Sequence, residues 1–191
     1  MDSLRRIESG ADEVNVCGAG PSYLIREVIG TNLRSNRTLM SPALQRPHVL
    51  IVSDDSELTS FLSEGLVYAG FWTSAIASAV QALEVFRLRS FDVMVLDAAL
   101  GGIGALELLR RLRGRSDRAT ITERTDIPIL IIAASSSELD PTVAERAGAD
   151  AVILAPVELE QLADELGRAV TVWRASHPGR EWADEAALGP A

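Results

Sequence analysis

Four short runs of apolar residues constrain this chain most strongly. They cover residues 49–52, 93–96, 127–132 and 151–154, and small or acidic residues follow each run. Apolar runs of this length, bounded by polar or turn residues, are typical of strands that are buried on both faces of a parallel sheet. A weaker fifth strand is predicted over residues 71–75. The chain is therefore expected to form a sheet of five strands.

The segments between these strands have the periodicity of amphipathic helices. After Ser56, apolar residues recur at Leu58, Phe61, Leu62 and Leu66, which is the spacing of one buried helix face. Four more helices are predicted over residues 79–88, 103–113, 141–147 and 157–172. Regular alternation of strand and helix predicts an α/β fold, a doubly wound five-stranded parallel sheet of the form (βα)5. The expected strand order is 2-1-3-4-5, with a ligand crevice at the carboxyl ends of the strands.

Five residues fall at those strand ends and are therefore candidates for a site. They are Ser53, Asp54, Asp97, Ala133 and Ala155. A single aspartate at a strand end is more often a helix cap than a ligand-binding group. Two aspartates on the neighbouring first and third strands favour a shared site instead.

The identity and spacing of these residues resemble the receiver domain of bacterial response regulators, a flavodoxin-like fold. The resemblance covers residues 48–172. In that family the first strand ends in two acidic residues, the third in a phosphoacceptor aspartate, the fourth in Ser or Thr, and the fifth in Lys-Pro. The matching residues here are Ser53 and Asp54, then Asp97, then Ala133, then Ala155 with Pro156.

The resemblance implies an atypical, degenerate receiver. Asp97 would be the phosphoacceptor, and Asp54, Asp97 and the backbone carbonyl of Ala99 would form a Mg²⁺ site that Ser53 weakens by removing one anion. Ala133 and Ala155 lack the hydroxyl and the ammonium group that would contact the phosphoryl group. The chain has 18 cations, all arginine, so no lysine elsewhere can replace the missing one.

We therefore expect a non-enzymatic module that acts in signal transduction by docking to a protein, with phosphorylation at Asp97 weak or absent. One alternative is a phosphorylatable stand-alone receiver of a two-component phosphorelay that uses Asp97. A less favoured alternative is a nucleotide-binding protein or an enzyme. Its support is the glycine pair Gly18 and Gly20, but Tyr23 stands where a dinucleotide fingerprint needs its third glycine.

Outside the receiver-like segment 48–172 we expect an N-terminal extension, residues 1–47, and a C-terminal tail, residues 173–191. The extension is expected to be partly flexible, with a short apolar helix over residues 23–29 that would contribute to a homodimer. The tail is too short for a DNA-binding unit, so output through another protein is expected. The link 114–126 is expected to be a solvated loop, with docking as the alternative.

Charge and cysteine content limit the partners. A net charge of −9 argues against nucleic acid, because such binding depends on neutralising phosphates. The single cysteine, Cys17, excludes an intrachain disulfide and suits the cytoplasm. No apolar run is long enough to span a membrane. The expected partners are proteins, and the resemblance implies a histidine kinase among them.

Overall fold

A computed structural model describes residues 46–120 and 125–183 of the chain. In these residues strands and helices alternate along the sequence, five of each. The strands are β1 His48–Val52, β2 Trp72–Ile76, β3 Val93–Asp97, β4 Ile129–Ala133 and β5 Ala151–Leu154. The helices are α1 Ser56–Tyr68, α2 Ala79–Leu88, α3 Ala105–Leu112, α4 Pro141–Ala147 and α5 Leu159–Ser176.

The strands form one parallel sheet in the order β2-β1-β3-β4-β5. This confirms the predicted fold class and strand order. Val52 lies opposite Leu96 across the β1–β3 pair, and Asp97 lies opposite Ile132 across the β3–β4 pair. The carboxyl ends of these three central strands are therefore adjacent, which is the arrangement that the candidate site requires.

Alternate residues of the strands face two separate hydrophobic cores. Leu50, Met94 and Ile131 pack on the side that carries α2, α3 and α4. Ile51, Val95 and Leu130 pack on the other side, against α1 and α5. Because both faces are covered, the central strands β1, β3 and β4 are buried along their whole length. Their continuous apolar sequences follow from this double burial.

Capping residues define the ends of helices α1 and α4. Asp55 caps α1 and accepts hydrogen bonds from the N–H groups of Glu57 and Leu58. Asp140 caps α4, which begins at Pro141 as predicted. The same helix ends at Gly148, whose φ of 113° is a left-handed conformation that suits glycine.

Several predicted details of the helices are wrong. Phe61 is 46% exposed, so it does not belong to the buried face of α1 that Leu62 and Leu66 form. Helix α3 begins at Ala105 rather than at residue 103. Helix α5 begins at Leu159 and continues to Ser176, beyond the predicted end at residue 172, because Trp173 extends its buried face by one more turn.

The residues after α5 pack against the amino end of the sheet. The backbone N–H of Ala183 lies 3.4 Å from a carboxylate oxygen of Asp92, which is only 2% exposed. The guanidinium of Arg174 lies 3.6 Å from the ring centroid of Trp182. The predicted helix over residues 23–29 and Cys17 lie outside the described residues. Among the helices in the described ranges, none has the length and apolar content needed to cross a membrane.

Candidate functional site: an acidic crevice at the strand ends

The carboxyl ends of the strands surround a crevice of about 350 Å³. Four of the predicted site residues belong to it: Asp54, Asp97, Ala99 and Ala155 line its wall. The hydroxyl of Ser53 contacts the carboxylate of Asp97. Ala133 is buried at the end of β4, and the next residue, Ala134, lines the wall in its place.

Both carboxylate oxygens of Asp97 already accept hydrogen bonds. The hydroxyl of Ser53 donates to Oδ2 at 2.6 Å, and the backbone N–H of Ala99 donates to Oδ1 at 2.9 Å. Ser53 is itself held, because its hydroxyl oxygen accepts from the N–H of Asp55 at 3.1 Å. Asp97 is 8% exposed and Ser53 is 3% exposed, so this short O–H···O⁻ bond is shielded from water. Ser53 therefore stabilises the charged acceptor in a fixed orientation.

Asp54 connects the loop after β1 to the loop after β3. Its Oδ2 accepts a hydrogen bond from the backbone N–H of Gly101 at 3.2 Å. A Cβ at position 101 would lie 3.0 Å from that same oxygen, so a larger residue there would crowd the carboxylate. Glycine at position 101, which has no Cβ, allows this close approach.

Glu138 is a site residue that sequence reasoning missed. It lines the crevice, and its Oε2 accepts a hydrogen bond from the backbone N–H of Ala134 at 2.6 Å. Ser135, two residues after Ala133, does not replace the missing hydroxyl in the crevice lining, and its own hydroxyl lies 2.7 Å from that of Ser137. The signal in the sequence was weak, since a Ser-rich turn ending in Glu is common on protein surfaces.

The charged residues that line the crevice, among those the structure describes, are all acidic. They are Asp54, Asp55, Asp97 and Glu138, and no basic side chain from the described ranges is among the lining residues. The oxygens of Asp54, Asp97 and Glu138 are within one crevice, and Asp55 is engaged as the cap of α1. An additional anion bound to Asp97 would meet like charges and no balancing cation from the described lining residues.

These donors fit the minimum requirement of Mg²⁺, which binds proteins through one or two carboxylates and completes its shell with water or phosphate oxygens. Asp54 and Asp97 would be the ligands, with the carbonyl of Ala99. In the described ranges, the crevice included, no group of three or more His, Cys, Asp or Glu side chains is arranged to hold a metal ion, so the site offers at most two carboxylate ligands. The Ser53 hydroxyl competes for Asp97 Oδ2, which weakens the fit.

Comparison with known proteins identifies the family. The family model of the response regulator receiver domain matches residues 49–167. This chain belongs to that family. Receiver domains are signalling modules of two-component systems and are generally not enzymes.

The transcriptional regulatory protein AfsQ1 of Streptomyces coelicolor is 31% identical over 113 residues, which is 59% of this chain and 46% of that protein. The response regulator MprA of Mycobacterium tuberculosis is 31% identical over 114 residues, 60% of this chain and 46% of that protein.

Solved structures agree with this fold. A putative response regulator from Chloroflexus aurantiacus matches with a TM-score of 0.59 and 25% identity, covering 66% of this chain and 99% of that one. A receiver domain of a sensor histidine kinase from Pseudomonas aeruginosa, described with a magnesium ion coordinated in its active site cleft, matches with a TM-score of 0.57 and 19% identity over 66% of this chain and 98% of that one. The chain spans about half the length of the curated relatives it matches.

Proposed function

We propose that this chain is an atypical receiver module that acts in signal transduction by docking to a protein partner, with phosphorylation at Asp97 weak or absent. The observation that carries the proposal is the composition of the crevice. Its charged lining is acidic, and Asp97 is held by Ser53 and Ala99 through both oxygens.

The energetic argument concerns what a phosphoryl group on Asp97 could gain. A hydrogen bond to a charged group contributes about 1.5–3 kcal/mol. Shifting a two-state equilibrium from 1:99 to 99:1 requires about 5.5 kcal/mol of differential binding. Alanine at positions 133 and 155 supplies neither a hydroxyl nor a cation toward that sum.

Glu138 reduces the remaining gain further. The N–H of Ala134 is a backbone donor on the wall of the crevice, and the Glu138 carboxylate already occupies it. A phosphoryl oxygen could use this donor only after that carboxylate has moved away. The bond to be broken is itself charge-assisted, so the exchange returns little free energy.

Mg²⁺ would bind weakly at Asp54, Asp97 and the carbonyl of Ala99. When bound, the ion would offset negative charge on a transferring phosphoryl group. The chain's own contribution is to hold the two carboxylates at the carboxyl ends of the adjacent strands β1 and β3. The Ser53 hydroxyl supplies no anion to the ion, and its bond to Asp97 occupies one of the two lone pairs of Oδ2.

The second candidate function is a stand-alone receiver of a phosphorelay that is phosphorylated at Asp97. The placement of Asp54 beside Asp97 in one crevice favours it, because these are the groups that the chemistry needs first. In either case a histidine kinase would be one partner. The module would act in the cytoplasm and would bind neither nucleic acid nor membrane. Its assembled form would be a homodimer in which residues 1–47 contribute to the interface.

Labelling by a small phosphodonor separates the two functions. We would incubate the full chain with radiolabelled acetyl phosphate and Mg²⁺, raising the Mg²⁺ concentration until labelling no longer increases. Asp97→Asn, which keeps the size of the side chain, is the control. Labelling that stays near the level of Asp97→Asn for an hour supports the docking module. Stoichiometric labelling within minutes that Asp97→Asn abolishes contradicts it and supports the phosphorelay receiver.

A further inference from the structure

Three arginines converge between the ends of two helices, at the opposite end of the sheet from the crevice. Arg110 lies in the last turn of α3 and Arg146 in the last turn of α4. Arg115 lies in the loop that follows α3. With Val143 and Ala147, these arginines line a pocket of about 320 Å³. All three arginines are exposed to solvent.

Hydrogen bonds fix the backbone around this pocket. The guanidinium of Arg115 donates to the carbonyl of Arg146 at 2.6 Å, and the backbone N–H of Arg115 donates to the carbonyl of Arg110 at 2.7 Å. Arg115 therefore ties the end of α3 to the end of α4. The pocket walls are held in place by main-chain contacts rather than by the charged ends of Arg110 and Arg146.

Within the described residues, none of the three guanidinium groups forms a close ion pair, and the only carboxylate with a recorded charge interaction with one of them is Asp140, with Arg146. The neighbouring arginines are paired: Arg111 with Glu107 at 3.0 Å, and Arg113 with Asp150 at 2.8 Å. Among the residues that the structure describes, no ion pair involves the pocket arginines, although the whole chain carries a net charge of −9. Three like charges that share one cavity repel one another, so an anion in the cavity would relieve that repulsion.

A structural role explains only part of this cluster. Cations in the last turn of a helix are favoured by the helix dipole, which accounts for Arg110 and Arg146 separately. Arg87 occupies the same position in α2 and does not line this pocket. The dipole does not account for Arg115, which lies outside the helix and brings a third charge to the same cavity.

We propose that this pocket binds a diphosphate or triphosphate group, either free or carried by a nucleotide. Guanidinium groups present paired N–H donors that match phosphate oxygens, and three of them suit an anion with several charges. The volume of the pocket is at the lower end of the range for small-molecule sites. Val143, which is 37% exposed, offers an apolar surface for a nucleoside. The proposal does not depend on Asp97 and goes beyond the docking function.

The test is a calorimetric titration of the full chain without metal, using inorganic triphosphate, ATP and a glutamate-rich peptide as separate probes. The variants are Arg110→Gln and Arg146→Gln, which lose a charge but no hydrogen bond that fixes the fold. Arg87→Gln is the matched control, because Arg87 is also exposed and in the last turn of a helix.

We expect saturable binding of triphosphate or ATP, weakened about ten-fold or more by either pocket variant and unchanged by Arg87→Gln. Equal affinities for triphosphate and ATP would identify the phosphates as the recognised group, and tighter ATP binding would show that the nucleoside also contacts the pocket. Absence of saturable binding by both would overturn the proposal. So would binding of the acidic peptide alone, or equal weakening by all three variants.

Discussion

Replacing Ser53 by aspartate should make the stability of the domain depend on Mg²⁺. Ser53 donates a 2.6 Å hydrogen bond to Asp97 where the family usually carries an acid. Aspartate at this position removes a bond that contributes about 1.5–3 kcal/mol. It also places a second carboxylate beside the first, and two like charges about 4 Å apart repel by about 4 kcal/mol at an effective dielectric constant of about 20. Because the pair can relax or bind a proton, we expect a net loss of about 3–5 kcal/mol in the free energy of unfolding when metal is absent.

Mg²⁺ should restore much of this loss in Ser53→Asp but little in the unmodified chain. A ligand at one hundred times its Kd stabilises the folded state by about 2.7 kcal/mol. The assay is urea unfolding in EDTA and at Mg²⁺ concentrations raised until the midpoint of Ser53→Asp no longer changes. Ser53→Asn is the matched control. Asparagine has the same size as aspartate but no charge, and its amide N–H can still donate a hydrogen bond to Asp97. If Ser53→Asp and Ser53→Asn are equally stable in EDTA and neither responds to Mg²⁺, the electrostatic reasoning about the crevice is wrong.

Three further predictions concern acid stability, helix packing and assembly. Burial, with the nearby charge of Arg89, lowers the pKa of His48 from 6.5 to about 4. The free energy of unfolding should therefore decrease as the pH falls through that interval. At pH 5 the protonation of His48 in the unfolded chain should cost about 2 kcal/mol, and urea unfolding of His48→Gln should lack this part of the pH dependence. Gly65→Ala should lower the free energy of unfolding by about 1–3 kcal/mol, because the added Cβ would overlap the side chain of Leu159. Gly167→Ala, where the added Cβ meets open space, should raise it by about 0.5–1 kcal/mol. Urea unfolding measures both, and a loss of the same size in both variants would contradict this packing. Light scattering should show a dimer for the full chain and a monomer after deletion of residues 1–47, and a truncated chain that still dimerises would show that the extension is not part of the interface.

The fold was predictable because its signals are local and repeated. The buried strands β1, β3 and β4 are continuous apolar runs, and α4 is bounded by Asp140 with Pro141 at one end and Gly148 at the other. Helix ends without such residues were harder to place. Helix α5 continues past residue 172 because Trp173 packs into the core, and one sequence position cannot reveal that contact.

The site was only partly predictable. The strand-end positions of Asp54 and Asp97 follow from the strand pattern, and both residues line the crevice. The hydrogen bond from Ser53 to Asp97 depends on how side chains at the ends of two neighbouring strands meet in space. The sequence therefore could not show that Ser53 holds the carboxylate of Asp97. Glu138 reaches the crevice through the conformation of a short loop, and its bond to Ala134 has no periodic signature.

Restoring the missing phosphoryl partners tests the central claim most directly. Ala155→Lys would return a cation to the wall of the crevice, and Ala133→Ser would return a hydroxyl with one added atom at a position that is only 1% exposed. We would measure acetyl phosphate labelling of the unmodified chain, both single variants and the double variant, each with and without Asp97→Asn. The account predicts that labelling rises most in the double variant, by more than the product of the two single effects, and depends on Asp97. Full labelling of the unmodified chain, or no gain in the double variant although it folds, would contradict the account.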